Sequence, residues 1–91
     1  MNGPAQFRRL LASPNPIGLI GAHNGLSARL GARAGYEGIW ASGFEMSASF
    51  GVPDANIVTL SDSLALIRQM VLASGVPVVA DCDEGYGNAI N

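Results

Sequence analysis

Apolar residues fall in short runs along this chain, and their spacing switches between a helical period and unbroken stretches. Residues 4–12 predict a short amphipathic helix, with Pro4 in its first turn and Phe7, Leu10 and Leu11 on one side. Ser13-Pro14-Asn15-Pro16 stops it. Ile17 to Ala22 is an apolar run fit for a buried strand. Asn24 then caps a helix to about Ala34, with Leu26 and Leu30 on its inner face and Gly35 at its end. Gly38 to Ala41 predicts a second strand, followed by a long connection from Ser42 to Val58. Thr59 is a good N-cap, with Asp62 placed to bond back to it. Leu60, Leu64, Ile67 and Val71 recur at helical spacing until Gly75. Pro77 to Ala80 predicts a third strand, and Asp81 to Asn88 a glycine-rich loop.

Apolar strands alternating with helices predict an α/β fold with parallel strands. Residues 1–15 form a leading helix and turn, and residues 16–91 the first strand–helix units. Polar and glycine residues gather after the strands, where barrel and doubly wound folds place their sites. Three parallel strands leave two open edges and an uncovered face. The chain is therefore expected to be the N-terminal part of a larger single domain, cut after its third strand.

Composition narrows the function. Apolar residues make up 48% of the 91 positions and charged residues 13%, which suits a buried core rather than disorder. The twelve glycines are close to twice the average share of about 7%, and they suit tight turns and close approaches of backbone to a ligand. A net charge of −2 offers no basic patch for nucleic acid. Cys82 is the single cysteine, so no intrachain disulfide forms and a reducing compartment is expected. Arg8-Arg9 before Leu10-Leu11 faintly resembles an export signal, but Pro14 and Pro16 break the apolar stretch such a signal needs. No run approaches the roughly 18–20 apolar residues of a membrane span. The expectation is a soluble cytoplasmic protein with no membrane partner.

Four segments could carry chemistry. Asp81-Cys82-Asp83 places two carboxylates two apart, so that on an extended chain both face one point at the end of the third strand. Such a pair is a usual way to hold Mg²⁺, and it is equally two solvated acids in a loop. Gly85-Tyr86-Gly87-Asn88 sets an aromatic between glycines, suited to backbone pressed against a ligand or metal shell, or to a simple turn; Asn88 could cap a further helix. Trp40-Ala41-Ser42-Gly43 ends the second strand with N–H groups able to bind a carboxylate or phosphate oxygen. Trp40 itself is a flat wall for a small planar substrate or ordinary core, and composition favours core. In Val52-Pro53-Asp54-Ala55-Asn56, Pro53 stiffens the chain before Asp54, although proline–aspartate is also a common turn start. His23 lacks a partner cluster for zinc, and Cys82 between two carboxylates is a blunted nucleophile. Both read as packing residues or as residues just outside a ligand's direct contacts.

In combination these segments resemble the phosphoenolpyruvate mutase branch of the isocitrate lyase superfamily. The resemblance rests on Ala22-His23-Asn24-Gly25-Leu26-Ser27-Ala28, Ala34 to Trp40, Trp40-x-Ser42-Gly43, Val52-Pro53-Asp54-x-Asn56 and Asp81-x-Asp83-x-Gly85-Tyr86-Gly87-Asn88, spanning about residues 17–91. It implies a (β/α)₈ TIM-type barrel truncated after the third strand, forming dimers or tetramers. It implies Mg²⁺, with Mn²⁺ as an alternative, at Asp81 and Asp83. Ser42 and Gly43 would give backbone donors to a substrate carboxylate, beside Trp40 and Phe44. Asp54 would sit at the migrating phosphoryl group, and Tyr86, Gly87 and Asn88 would line the loop around the metal.

The implied activity is the interconversion of phosphoenolpyruvate and phosphonopyruvate, which makes a C–P bond for phosphonate biosynthesis. Phe44-Glu45 also resembles the phosphonopyruvate hydrolases, and Glu84 stands where a small residue is usual. A carbon–carbon lyase of the superfamily and an inactive fragment are the remaining alternatives. The family's further metal-shell glutamate, substrate arginine and gating loop would lie beyond Asn91.

Overall fold

A computed structural model describes residues 2–87. Seven elements follow one another: α1 (Gly3–Ala12), β1 (Leu19–Ala22), α2 (Gly25–Arg33), β2 (Gly38–Ala41), α3 (Gly43–Ser49), α4 (Leu60–Ser74) and β3 (Val78–Ala80). The three strands form one parallel sheet in the order β1-β2-β3. The expected α/β class and all three strands are present. Asn88, expected to cap a further helix, lies outside the described residues.

Local chemistry explains where the helices begin. Asn2 opens α1 by accepting from the Ala5 amide, and Ser13 ends it in extended conformation. Asn24 accepts from the Ser27 amide while the Ser27 hydroxyl accepts from the Asn24 amide, a reciprocal cap on α2. Thr59 and Asp62 make the expected capping box on α4, at 3.2 and 3.4 Å. Gly75 closes α4 at φ +71°, a left-handed position that a glycine takes at no steric cost.

The sheet divides the molecule. Ile20, Ala22, Ile39, Ala41, Val78 and Ala80 belong to the core with Ala28 of α2 and Met70 of α4. Alternation sends Leu19, Gly21, Gly38, Trp40 and Val79 to the other face. Helices α2 and α4 pack on each other beside the core, and the Arg29 side chain donates to the carbonyl of Ala73 at 3.2 Å.

Two expectations about helix faces are overturned. Leu26 and Leu30 do not form the inner face of α2; they are 67% and 58% exposed, and the buried residues are Ala28 and Gly31. Small residues are required there because α2 lies hard against the sheet: a Cβ on Gly31 would meet the Ile20 side chain at 2.5 Å. Along α4, Leu60, Leu64 and Val71 are exposed, whereas Ile67 packs against the core and Ser63 and Met70 are buried. The long connection expected from Ser42 to Val58 also contains a helix, α3. Ser42 is its N-cap, accepting from the Glu45 amide at 3.2 Å.

Candidate functional site

The parallel strands end together. Ala22, Ala41 and Ala80 are neighbours across the sheet, and the segments that follow meet at its carboxyl edge. The Ser42 amide donates to the Ala22 carbonyl and the Asp81 amide to the Ala41 carbonyl, which extends the ladder one step past each strand. This edge is where ligands bind in open α/β sheets and barrels.

Asp81 and Asp83 converge there on Gly43, the first residue of α3. The Gly43 amide donates to Asp81 Oδ2 at 3.2 Å. A Cβ at Gly43 would lie 2.7 Å from Asp81 Oδ2 and 3.0 Å from Asp83 Oδ1, so both carboxylates reach one point that only a glycine leaves open. The convergence has a different cause from the alternation expected of an extended chain. β3 ends at Ala80, and Asp83 takes φ +46° in a turn whose amide donates to Asp81 Oδ1 at 3.0 Å. An aspartate bonding the backbone two residues on is a standard turn device, and it folds Asp83 back beside Asp81.

Electrostatics reflect this crowding. The Asp83 carboxyl is raised above the usual carboxylate range, first by partial loss of hydration and then by the charges of Asp81, Asp54 and Glu84. Asp54, 29 residues before Asp83 in the chain, is thus close enough for Asp83 to feel its charge.

The remaining residues singled out from sequence do not share one environment. Trp40 lies on the sheet face opposite α2 and α4 and is 37% exposed, although its neighbours Ile39 and Ala41 are fully buried. Among the described residues Trp40 therefore stands outside the packed core. Tyr86 joins the aspartate loop, its hydroxyl donating to the Asp81 carbonyl at 3.2 Å, and Gly87 follows it, exposed. Phe44, by contrast, is 66% exposed on the first turn of α3. The Ser42 and Gly43 amides, expected as donors to a ligand, are already engaged by Ala22 and Asp81.

Glu45 was missed as a structural residue. Its carboxylate oxygens lie 2.8 and 2.9 Å from where a Cβ on Gly21 would stand, so α3 seats an acidic side chain on the open face of β1. Ser42-x-x-Glu45 is the sequence signature of a helix start; it could have revealed α3. The Glu45 side chain lies over Gly21 rather than taking the reciprocal bond of that motif.

The fold and the site together define an α/β protein with paired carboxylates at the carboxyl edge of a parallel sheet. The sequence matches the phosphoenolpyruvate phosphomutase family over residues 7–91, and the chain belongs to that family. Its structure superposes on that of phosphoenolpyruvate phosphomutase from Streptomyces platensis subsp. rosaceus with a TM-score of 0.93 and 55% identity, covering 98% of this chain and 31% of that one. Phosphonopyruvate hydrolase of Variovorax sp. (strain Pal2) is 46% identical over 85 residues, 93% of this chain and 29% of its own. A phosphonopyruvate hydrolase structure in complex with oxalate and Mg²⁺ matches with a TM-score of 0.92 and 43% identity, covering 99% of this chain and 32% of that one. 2,3-Dimethylmalate lyase of Eubacterium barkeri is 38% identical over 92 residues, 100% of this chain and 32% of its own. The chain thus spans under a third of the length of these relatives, which include a mutase, hydrolases and a lyase.

Asp81 and Asp83 fit a hard divalent cation. They bring oxygen donors only, on one loop, to a point where Gly43 contributes no side chain. Among the described residues no cluster of three or more His, Cys, Asp or Glu side chains forms a fuller ligand set. The described segment would accordingly supply two carboxylates to such a shell.

Proposed function

We propose that this chain carries the N-terminal part of the active site of a Mg²⁺-dependent mutase that interconverts phosphoenolpyruvate and phosphonopyruvate, built on a (β/α)₈ barrel. The observation that carries the reading is the meeting of Asp81, Asp83 and Gly43 at the sheet edge, with Asp54 within electrostatic reach of Asp83. The 55% identity to a phosphomutase structure supports the same choice.

In this reading Asp81 and Asp83 hold the cation, which would supply positive charge to the oxygens of a 2-oxo acid. Trp40 forms a flat wall on the open face, and the Ser42–Gly43 segment meets the substrate carboxylate, the Ser42 amide having to leave the Ala22 carbonyl to donate to it. That carboxylate has to share the Gly43 amide with Asp81. The bond from phosphorus to the enol oxygen breaks and a bond from phosphorus to carbon 3 forms. Asp54 receives or guides the phosphoryl group between these positions, so positioning and charge carry most of the work. The substrate is a small molecule, and the complete protein is a cytoplasmic homo-oligomer, dimer or tetramer.

Hydrolysis of phosphonopyruvate to pyruvate and phosphate is the second reading. Phe44-Glu45 and the 46% identity to the Variovorax hydrolase favour it. The test is ³¹P NMR of the complete protein with phosphonopyruvate, first with Mg²⁺ and then with Mn²⁺. A phosphate-ester signal from phosphoenolpyruvate supports the mutase, and inorganic phosphate establishes the hydrolase instead. Phosphonopyruvate left unchanged sinks both.

A further inference from the structure

Asp81 is held at every polar atom it has. Its amide donates to the Ala41 carbonyl at 3.1 Å, and its carboxylate accepts from the amides of Asp83 and Gly43. Its carbonyl accepts from the Tyr86 hydroxyl at 3.2 Å. Three of these bonds are made by main-chain groups outside Asp81. The fourth comes from a side chain five residues on, and it can be removed without altering the backbone.

Tyr86 takes this position against a conformational cost. It has φ +65°, a left-handed conformation that an aromatic residue rarely adopts, and Asp83 has φ +46° in the same short loop. Backbone of this kind persists where surrounding contacts fix it, and such residues gather at functional sites. Tyr86 is engaged at its hydroxyl and borders a cavity. Its hydroxyl closes the loop onto Asp81, while its side chain helps line a cavity of about 360 Å³ bounded also by Asn56, Thr59 and Leu60, in the segment that follows Asp54.

We propose that Tyr86 is a positioning residue for the cation site. By fixing the Asp81 carbonyl, its hydroxyl sets the direction from which the Asp81 carboxylate meets a divalent cation. The inference rests on the assignment of Asp81 and Asp83 to a divalent cation, and it holds for mutase and hydrolase alike.

The test is titration of Mn²⁺ into the complete protein and its Tyr86→Phe variant, followed by electron paramagnetic resonance, with a thermal melt of each in EDTA. Phenylalanine keeps the ring and removes only the hydroxyl. The expected result is a Mn²⁺ dissociation constant raised about tenfold, the usual scale for groups that orient a metal ligand. The spectrum of the bound ion should change and the metal-free melting temperature should stay within a few degrees. An affinity within twofold of the parent, with an unchanged spectrum, overturns the proposal while leaving the metal assignment in place. Lost affinity together with a collapsed melting temperature also overturns it, because the hydroxyl then serves the whole fold. A parent protein that binds no Mn²⁺ overturns both the metal assignment and the role of Tyr86.

Discussion

The amide of Gly43 donates to Asp81 Oδ2 at 3.2 Å, so the first turn of α3, which follows β2, is fastened to the loop after the neighbouring strand β3. The same glycine leaves the space into which Asp83 Oδ1 projects. One residue therefore provides a donor and a gap at once.

Substituting Gly43 with alanine should separate the two carboxylates. The new methyl group would stand 2.7 Å from Asp81 Oδ2 and 3.0 Å from Asp83 Oδ1, and the short aspartate side chains have little room to retreat. Calorimetric titration of Mg²⁺ or Mn²⁺ into the complete Gly43→Ala protein should show affinity lowered about 10- to 100-fold. Parent-like affinity would mean that the carboxylates do not act on the ion together.

Gly31→Ala should destabilise the fold although alanine favours helices by about 1 kcal/mol over glycine. Its Cβ would overlap the Ile20 side chain at 2.5 Å and press on Ile39 at 3.3 Å, both part of the packed sheet face. Overpacking of this kind costs about 1–3 kcal/mol, so a small net loss is expected in urea denaturation. A more stable variant would show that α2 shifts freely on the sheet.

The same contact explains what the sequence did and did not disclose. Strands and caps were legible because they depend on neighbours in the chain: Thr59 with Asp62 specifies its own bond geometry wherever the helix packs. The inward faces were not legible, because Leu26 and Leu30 advertise burial by apolarity while close packing selects Ala28 and Gly31. Helix α3 was hidden by Gly43, which reads as a loop residue and is in fact a spacer for two carboxylates. At the site, Asp81-x-Asp83 announced a shared point correctly and for the wrong reason. Alternation along a strand would have sufficed, but the structure uses a left-handed turn at Asp83. Long-range proximity, such as that of Asp54 to Asp83, leaves no trace in local pattern.

Thr59→Ala should remove the hydroxyl that accepts the Asp62 amide at 3.2 Å and leave the Asp62 carboxylate bond to the Thr59 amide in place. The loss is expected to be about 1 kcal/mol, because the pair is solvent-exposed. Chemical denaturation of the complete protein measures it. Thr59→Ser should recover most of the loss, and failure to do so would assign the effect to the threonine methyl group.

Asp54 bears on activity and on the titration of Asp83, and the two effects can be read separately. If Asp54 receives or guides the phosphoryl group as proposed, Asp54→Asn should slow turnover of phosphonopyruvate by at least about a hundredfold, whereas a carbon–carbon lyase would keep most of its activity. In the metal-free protein the same change removes one of the like charges that hold the Asp83 carboxyl above its ordinary range. A raised carboxyl binds its proton more tightly in the folded chain than in the unfolded one. Its contribution to stability is therefore full below the ordinary carboxylate range, about pH 4, and is lost as pH rises through the folded value. Carbon-13 NMR of the carboxyl should place the Asp83 midpoint above that of an ordinary aspartate, and Asp54→Asn should move it down. Desolvation, the largest cause, remains, so the midpoint should stop short of the ordinary value. A midpoint that does not move would mean that Asp54 stands too far from Asp83 to share a substrate with it.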